Sequence, residues 1–131
     1  MKPRITYDIE SKLAYLYTLS STAQYKIQLT DELEVNEYLE LDIDEQDRIV
    51  GIEVFGPIAL ELSKLAGSTQ IYTKDGGIYS FRLNKQEVNQ KFHYKGIDFC
   101  FSDEKFESFV GLDIVDLNKY DISLLDQILI P

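Results

Sequence analysis

The chain has 131 residues, is 44% apolar and 12% aromatic, and carries a formal charge of −10 at pH 7. A chain of this size and composition closes a core without metal or disulfide support, and it lacks the sparse apolar content of disordered segments. The negative charge argues against direct binding of DNA or RNA, which needs clustered Lys and Arg against phosphate, and the single Cys100 leaves no intramolecular disulfide.

Alternating apolar and polar residues predict strands along most of the chain. Arg4 to Asp8 and Leu13 to Leu19 form a hairpin across the turn Ile9-Glu10-Ser11-Lys12. The start of the chain lacks the apolar stretch of a secretory signal, and no later apolar run approaches the roughly 20 residues of a membrane helix, so a cytoplasmic protein is expected. Tyr25, Ile27 and Leu29 alternate up to an acidic turn at Thr30-Asp31-Glu32. Val35, Leu39, Leu41 and Ile43 then share one side of a longer strand, with Asn36, Tyr38, Glu40 and Asp42 on the other. After the turn Asp44-Glu45-Gln46-Asp47, Arg48 to Val54 returns as the next strand of a meander. Pro57 at a first helical position and Gly67 as a stop bracket a helix with Ile58, Leu62, Leu65 and Ala66 on one face.

The second half repeats the plan. Ile71-Tyr72-Thr73, the turn Lys74-Asp75-Gly76-Gly77 and Ile78 to Leu83 resemble the first hairpin, with Tyr79, Phe81 and Leu83 in the places of Tyr15, Tyr17 and Leu19. Val110-Gly111-Leu112-Asp113-Ile114 echoes Val50-Gly51-Ile52-Glu53-Val54, and each follows a strand and an acidic turn. Duplication is the simplest account. Asp121 caps a last short helix with Ile122, Leu125 and Ile128 or Leu129 facing inward, while an edge strand over residues 128–131 is the competing reading. The expected fold is α+β and mostly antiparallel: a single domain of two related β-meander units, residues 1–66 and 67–131, each followed by a short helix.

The stretch Tyr7-Asp8-Ile9-Glu10 with Ala14-Tyr15-Leu16, then Leu41-Asp42-Ile43-Asp44-Glu45 with Asp47-Arg48-Ile49-Val50-Gly51-Ile52-Glu53-Val54, resembles the small bacterial family of domain of unknown function 2283. The resemblance covers the first half, and the second half is a faint repeat of it. The chain departs from the pattern at Ile9, where the family has Pro, at Lys12, where it has an acid, and around Thr22 to Gln28, where residues are inserted. The resemblance implies a small β-rich fold and no reaction.

No side-chain set for catalysis emerges. His93 in Phe92-His93-Tyr94-Lys95 reads as a strand histidine without a named partner group, and Cys100 in Ile97-Asp98-Phe99-Cys100-Phe101 reads as a small buried thiol. Nine acids and no base lie between Asp31 and Asp47. The part Asp42-Ile43-Asp44-Glu45-Gln46-Asp47 has the acid spacing of a calcium loop but neither its central Gly nor its closing Glu, so no metal and no cofactor are expected. Residues 1–66 hold 13 acids and 6 bases, net −7, against 10 acids and 7 bases, net −3, in residues 67–131.

Small size, cytoplasmic character, strong acidity and the missing catalytic set together predict a non-enzymatic binding protein whose acidic face docks a basic protein, as an immunity protein or antitoxin neutralises a cationic toxin such as a nuclease. Glu34, Glu40, Asp42 and Asp44 share one strand parity, placing neighbours about 6 to 7 Å apart on one face. Tyr38, of the same parity, supplies an aromatic anchor, and Glu45 and Asp47 extend the set into the following turn. The alternatives are a self-associating β module pairing by a sheet edge, hence a homodimer, and a metal-dependent carboxylate hydrolase.

Overall fold

A computed structural model describes residues 2–131. The first sheet contains β1 (Ile5–Asp8), β2 (Leu13–Tyr17), β3 (Ile27–Leu33), β4 (Asn36–Asp44) and β5 (Ile49–Val54), and is antiparallel in the order β1-β2-β5-β4-β3. Helix α1 (Gly56–Leu62) follows, then a 3-10 turn over Ser63–Leu65. The second sheet contains β6 (Thr73–Asp75), β7 (Ile78–Arg82), β8 (Gln90–Tyr94), β9 (Ile97–Phe101) and β10 (Phe109–Ile114), in the order β6-β7-β10-β9-β8, and helix α2 (Ile122–Asp126) closes the chain. The fold is therefore α+β, with two antiparallel five-stranded sheets of identical strand order, each followed by a short helix. No helix among the described residues is long and apolar enough to cross a membrane.

Alternation produces these strands because one face of each sheet is buried. Ile5, Ala14, Leu16, Leu39, Leu41, Ile52 and Val54 from the first sheet join Tyr79, Phe81, Phe99, Phe101, Leu112 and Ile114 from the second in one apolar cluster. Helix α1 adds Ile58, Ala59 and Leu62, and α2 adds Leu125. Buried hydroxyls tie the halves together. Tyr72 donates to the Thr18 carbonyl at 2.7 Å; Tyr120 accepts from the Ile49 amide at 2.9 Å and donates to the Lys95 carbonyl at 2.8 Å. Each is a polar group that would cost free energy if buried without a partner.

Turn chemistry sets the registers. Gly76 and Gly77, with φ of 57° and 80°, make the two-residue loop between β6 and β7, where both central residues need the left-handed conformation. In the β4–β5 turn, Asp44 accepts from the amides of Gln46 and Arg48, and Asp47 occupies the left-handed region at φ 63°.

Several expectations shift by a few residues. The acidic run Thr30-Asp31-Glu32 is strand, and the turn lies at Glu34 and Val35, because buried Leu33 anchors the end of β3. The proposed match of Tyr79, Phe81 and Leu83 with Tyr15, Tyr17 and Leu19 is out by one residue. Gly51 faces Tyr17 while Gly111 faces Arg82, so Tyr79 and Phe81 correspond to inward Ala14 and Leu16. A one-residue slip carries every side chain to the other face, and Tyr15 and Tyr17 point outward. Asp121 does cap α2, accepting from the Ser123 amide at 3.0 Å, but Ile122 is exposed while Leu125 and Ile128 are buried. The tail combines both readings: Leu129, beyond the helix, makes an isolated bridge with Tyr72.

Candidate functional site

The β3–β4 hairpin of the first sheet and the β9–β10 loop of the second face each other across a groove of roughly 650 Å3. Asn36 builds the junction. Its side-chain amide donates to the Phe106 carbonyl at 2.9 Å, and its side-chain oxygen accepts from the Tyr38 amide at 2.9 Å. Phe106 sits at φ 60° in a loop held by Asp103, which accepts from the Ser108 amide at 2.9 Å. The Phe106 ring meets Phe92 and Phe101 edge to face, with centroids 6.1 and 5.3 Å away, so the aromatic wall is fixed by the second sheet's core.

The groove is lined by Glu32, Glu34, Glu37 and Glu107 against one cation, Lys105, with Tyr38 and Phe106 as aromatic walls. None of those five charged groups forms an ion pair among the described residues. A smaller recess of roughly 280 Å3 shares Glu32 and Glu34 and adds Asp31, Phe92 and Tyr94. Acid and aromatic side chains in one concave strip suit a guanidinium or ammonium, which takes charge-assisted hydrogen bonds at its edge and a π-face above it.

The seven residues singled out in the sequence do not form one surface. Glu34, in the turn, and Tyr38, 44% exposed on β4, line the groove. Glu40 and Asp42 lie on the outward face of β4, away from it. There Asp42 accepts from Tyr15 Oη at 2.5 Å and Thr30 Oγ1 at 2.6 Å. Glu40 stands opposite Glu53, whose carboxyl is pushed up by burial and by the neighbouring Glu40 and Asp42 charges.

The other three are structural. Asp44 ends β4 at the turn, only 1% exposed and ion-paired to Arg48 at 2.9 Å, so it is not on the outward face. Glu45 accepts from the Lys26 amide at 2.7 Å. Asp47 bridges to the second half through Lys95 at 2.6 Å and Lys119 at 3.0 Å, and these ammonium groups hold its carboxyl below the usual range.

Glu32, Glu37, Lys105, Phe106 and Glu107 are not among the residues singled out in the sequence. Glu37 belongs to the visible acidic run, but Phe106 and Glu107 lie about 70 residues on, and nothing local marks them as its neighbours. No group of three or more His, Cys, Asp or Glu side chains among the described residues is arranged to hold a metal ion. His93 contacts Asp98 at 2.7 Å on the surface, and burial pushes the Cys100 thiol up to about 11, with Asp113 adding to the effect.

A family model described as "Protein of unknown function (DUF2283)" matches residues 4–56, the whole of the first sheet. The chain is also 35% identical over 125 residues to "Uncharacterized protein YuzE" of Bacillus subtilis (strain 168), covering 95% of both chains. The chain belongs to this family. The family model stops at the start of α1, whereas the likeness to the Bacillus protein runs through both sheets, so both walls of the groove lie within the shared length. No solved structure matches the chain significantly.

Proposed function

We propose that the chain is a non-enzymatic cytoplasmic protein that binds a basic segment of a partner protein in the groove between the β3–β4 hairpin and the β9–β10 loop. In its sharpest form the reading is an immunity protein or antitoxin that masks a cationic toxin such as a nuclease. The observation that carries it is the lining: four carboxylates, one ammonium, two aromatic walls, and no ion pair among the described residues to neutralise them. Leaving like charges together costs stability, and a cationic ligand offsets that cost. The net −7 of residues 1–66 steers such a ligand toward this half and makes association sensitive to salt.

Calorimetric titration with an arginine-rich peptide tests this. The double variant Glu34→Lys and Glu37→Lys changes two exposed side chains and leaves the circular dichroism unchanged. Affinity falls at least about tenfold, a loss of about 1.4 kcal/mol. Equal affinity for wild type and variant, or no binding by either at low salt, contradicts the groove.

A further inference from the structure

Strand β3 is the free edge of the first sheet and, at seven residues, the longest of the four edge strands. Its residues 27–32 are all exposed. Leu29 stands opposite buried Ile43, on the core-facing side of the sheet, yet is 48% exposed, and Ile27, across a register shift and opposite Asp44, is 51% exposed. A long edge with bare apolar side chains is a template for another strand.

We propose that a second copy of this chain covers this edge, β3 pairing antiparallel with the partner's β3 about a two-fold axis through Leu29. The sequence around that axis is self-complementary. Such pairing sets residue i opposite residue 58 minus i, which puts Leu29 against the partner's Leu29, Gln28 against the partner's Thr30, and Lys26 against the partner's Glu32. Directly opposite side chains share a face, so the leucines meet on the inward side, and Lys26, just before the strand, comes against the partner's Glu32. Ile27 faces the partner's Asp31 beside them. No other centre pairs Lys26 with Glu32, and an axis at Asp31 would stack two carboxylates. The product is a continuous ten-stranded sheet, closed by symmetry and leaving no β3 edge.

This inference shares Glu32 with the groove reading, and the two are told apart by their opposite salt dependence. Two bodies of charge −10 repel at long range, so screening favours the dimer, whereas it weakens a cationic ligand.

Sedimentation equilibrium of the wild type at high salt shows a concentration-dependent dimer. Lys26→Glu weakens it about tenfold or more. The decisive variant is Glu32→Lys, which lowers the net charge from −10 to −8 and still weakens the dimer, because two lysines then face each other. The double variant Lys26→Glu with Glu32→Lys restores it. A strictly monomeric wild type, a Glu32→Lys variant that dimerises better, or a double variant that stays monomeric overturns the proposal. All these positions are exposed, and circular dichroism confirms that each variant folds.

Discussion

Glu53 and Asp113 occupy the same place in the two sheets, on the outward face of the central strand, two residues after a glycine and opposite another acid, Glu40 or Asp98. Their surroundings are opposed. Asp113 is buried, which works against its charge, but Arg82 at 2.8 Å, Ser80 and Lys91 at 3.1 Å outweigh burial and hold the carboxyl below its usual range. Glu53 has no cation beside it among the described residues, and burial with the charges of Glu40 and Asp42 raises its carboxyl. The registers show why. Where the second sheet has Arg82, Lys91 and His93, the first has Tyr17, Thr30 and Glu32. One strand plan thus supports a face with internal charge balance in one half and an unbalanced acidic face in the other, and the unbalanced half contributes most of the groove's acids.

The paired glycines offer the largest break in this comparison. A Cβ on Gly111 would overlap the Phe81 carbonyl, a backbone group that cannot step aside, so Gly111→Ala costs about 3 kcal/mol in urea unfolding. A Cβ on Gly51 would instead meet the hydroxyl end of Tyr15, which swings away at the loss of its bond to Asp42, about 1 kcal/mol. Equal costs would mean the two positions are not built differently.

Removing the carboxylate charge comes next. Asp113→Asn leaves Arg82 and Lys91 without their partner and costs about 2 kcal/mol at neutral pH. Because the folded-state value is depressed, the stabilisation from Asp113 is present above the ordinary Asp range and disappears as pH falls through the depressed value. Glu53→Gln has the smallest effect and the opposite sign. It relieves a like-charge pair facing across two strands and gains about 0.5 kcal/mol at neutral pH. With a raised folded-state value, the wild-type penalty develops as pH rises past the ordinary Glu range, so the gain vanishes in acid.

The strand plan was legible because alternation and the repeated Val-Gly-apolar-acid-apolar segment are local signals. Alternation does not say which side faces the core, however, and the match of Tyr79 and Phe81 with outward tyrosines fails for that reason. The acidic run read as a turn over Thr30 to Glu32 because acids favour turns, whereas buried Leu33 carries the strand past it. Within the site, Glu34 and Tyr38 were visible from charge and parity. The burial of Asp44 against Arg48 and the Lys95 and Lys119 contacts that occupy Asp47 arise from turn geometry and tertiary packing, as does the approach of Phe106 and Glu107 to the hairpin.

The most direct measurement is unfolding free energy across acid to neutral pH for wild type, Glu53→Gln and Asp113→Asn. The account predicts that Glu53→Gln lies above wild type at neutral pH, Asp113→Asn below it, and that both differences shrink as pH falls through the carboxylate range. Two variants displaced in the same direction, or differences that do not change with pH, would contradict the claim that one half leaves its acids unbalanced and the other neutralises them.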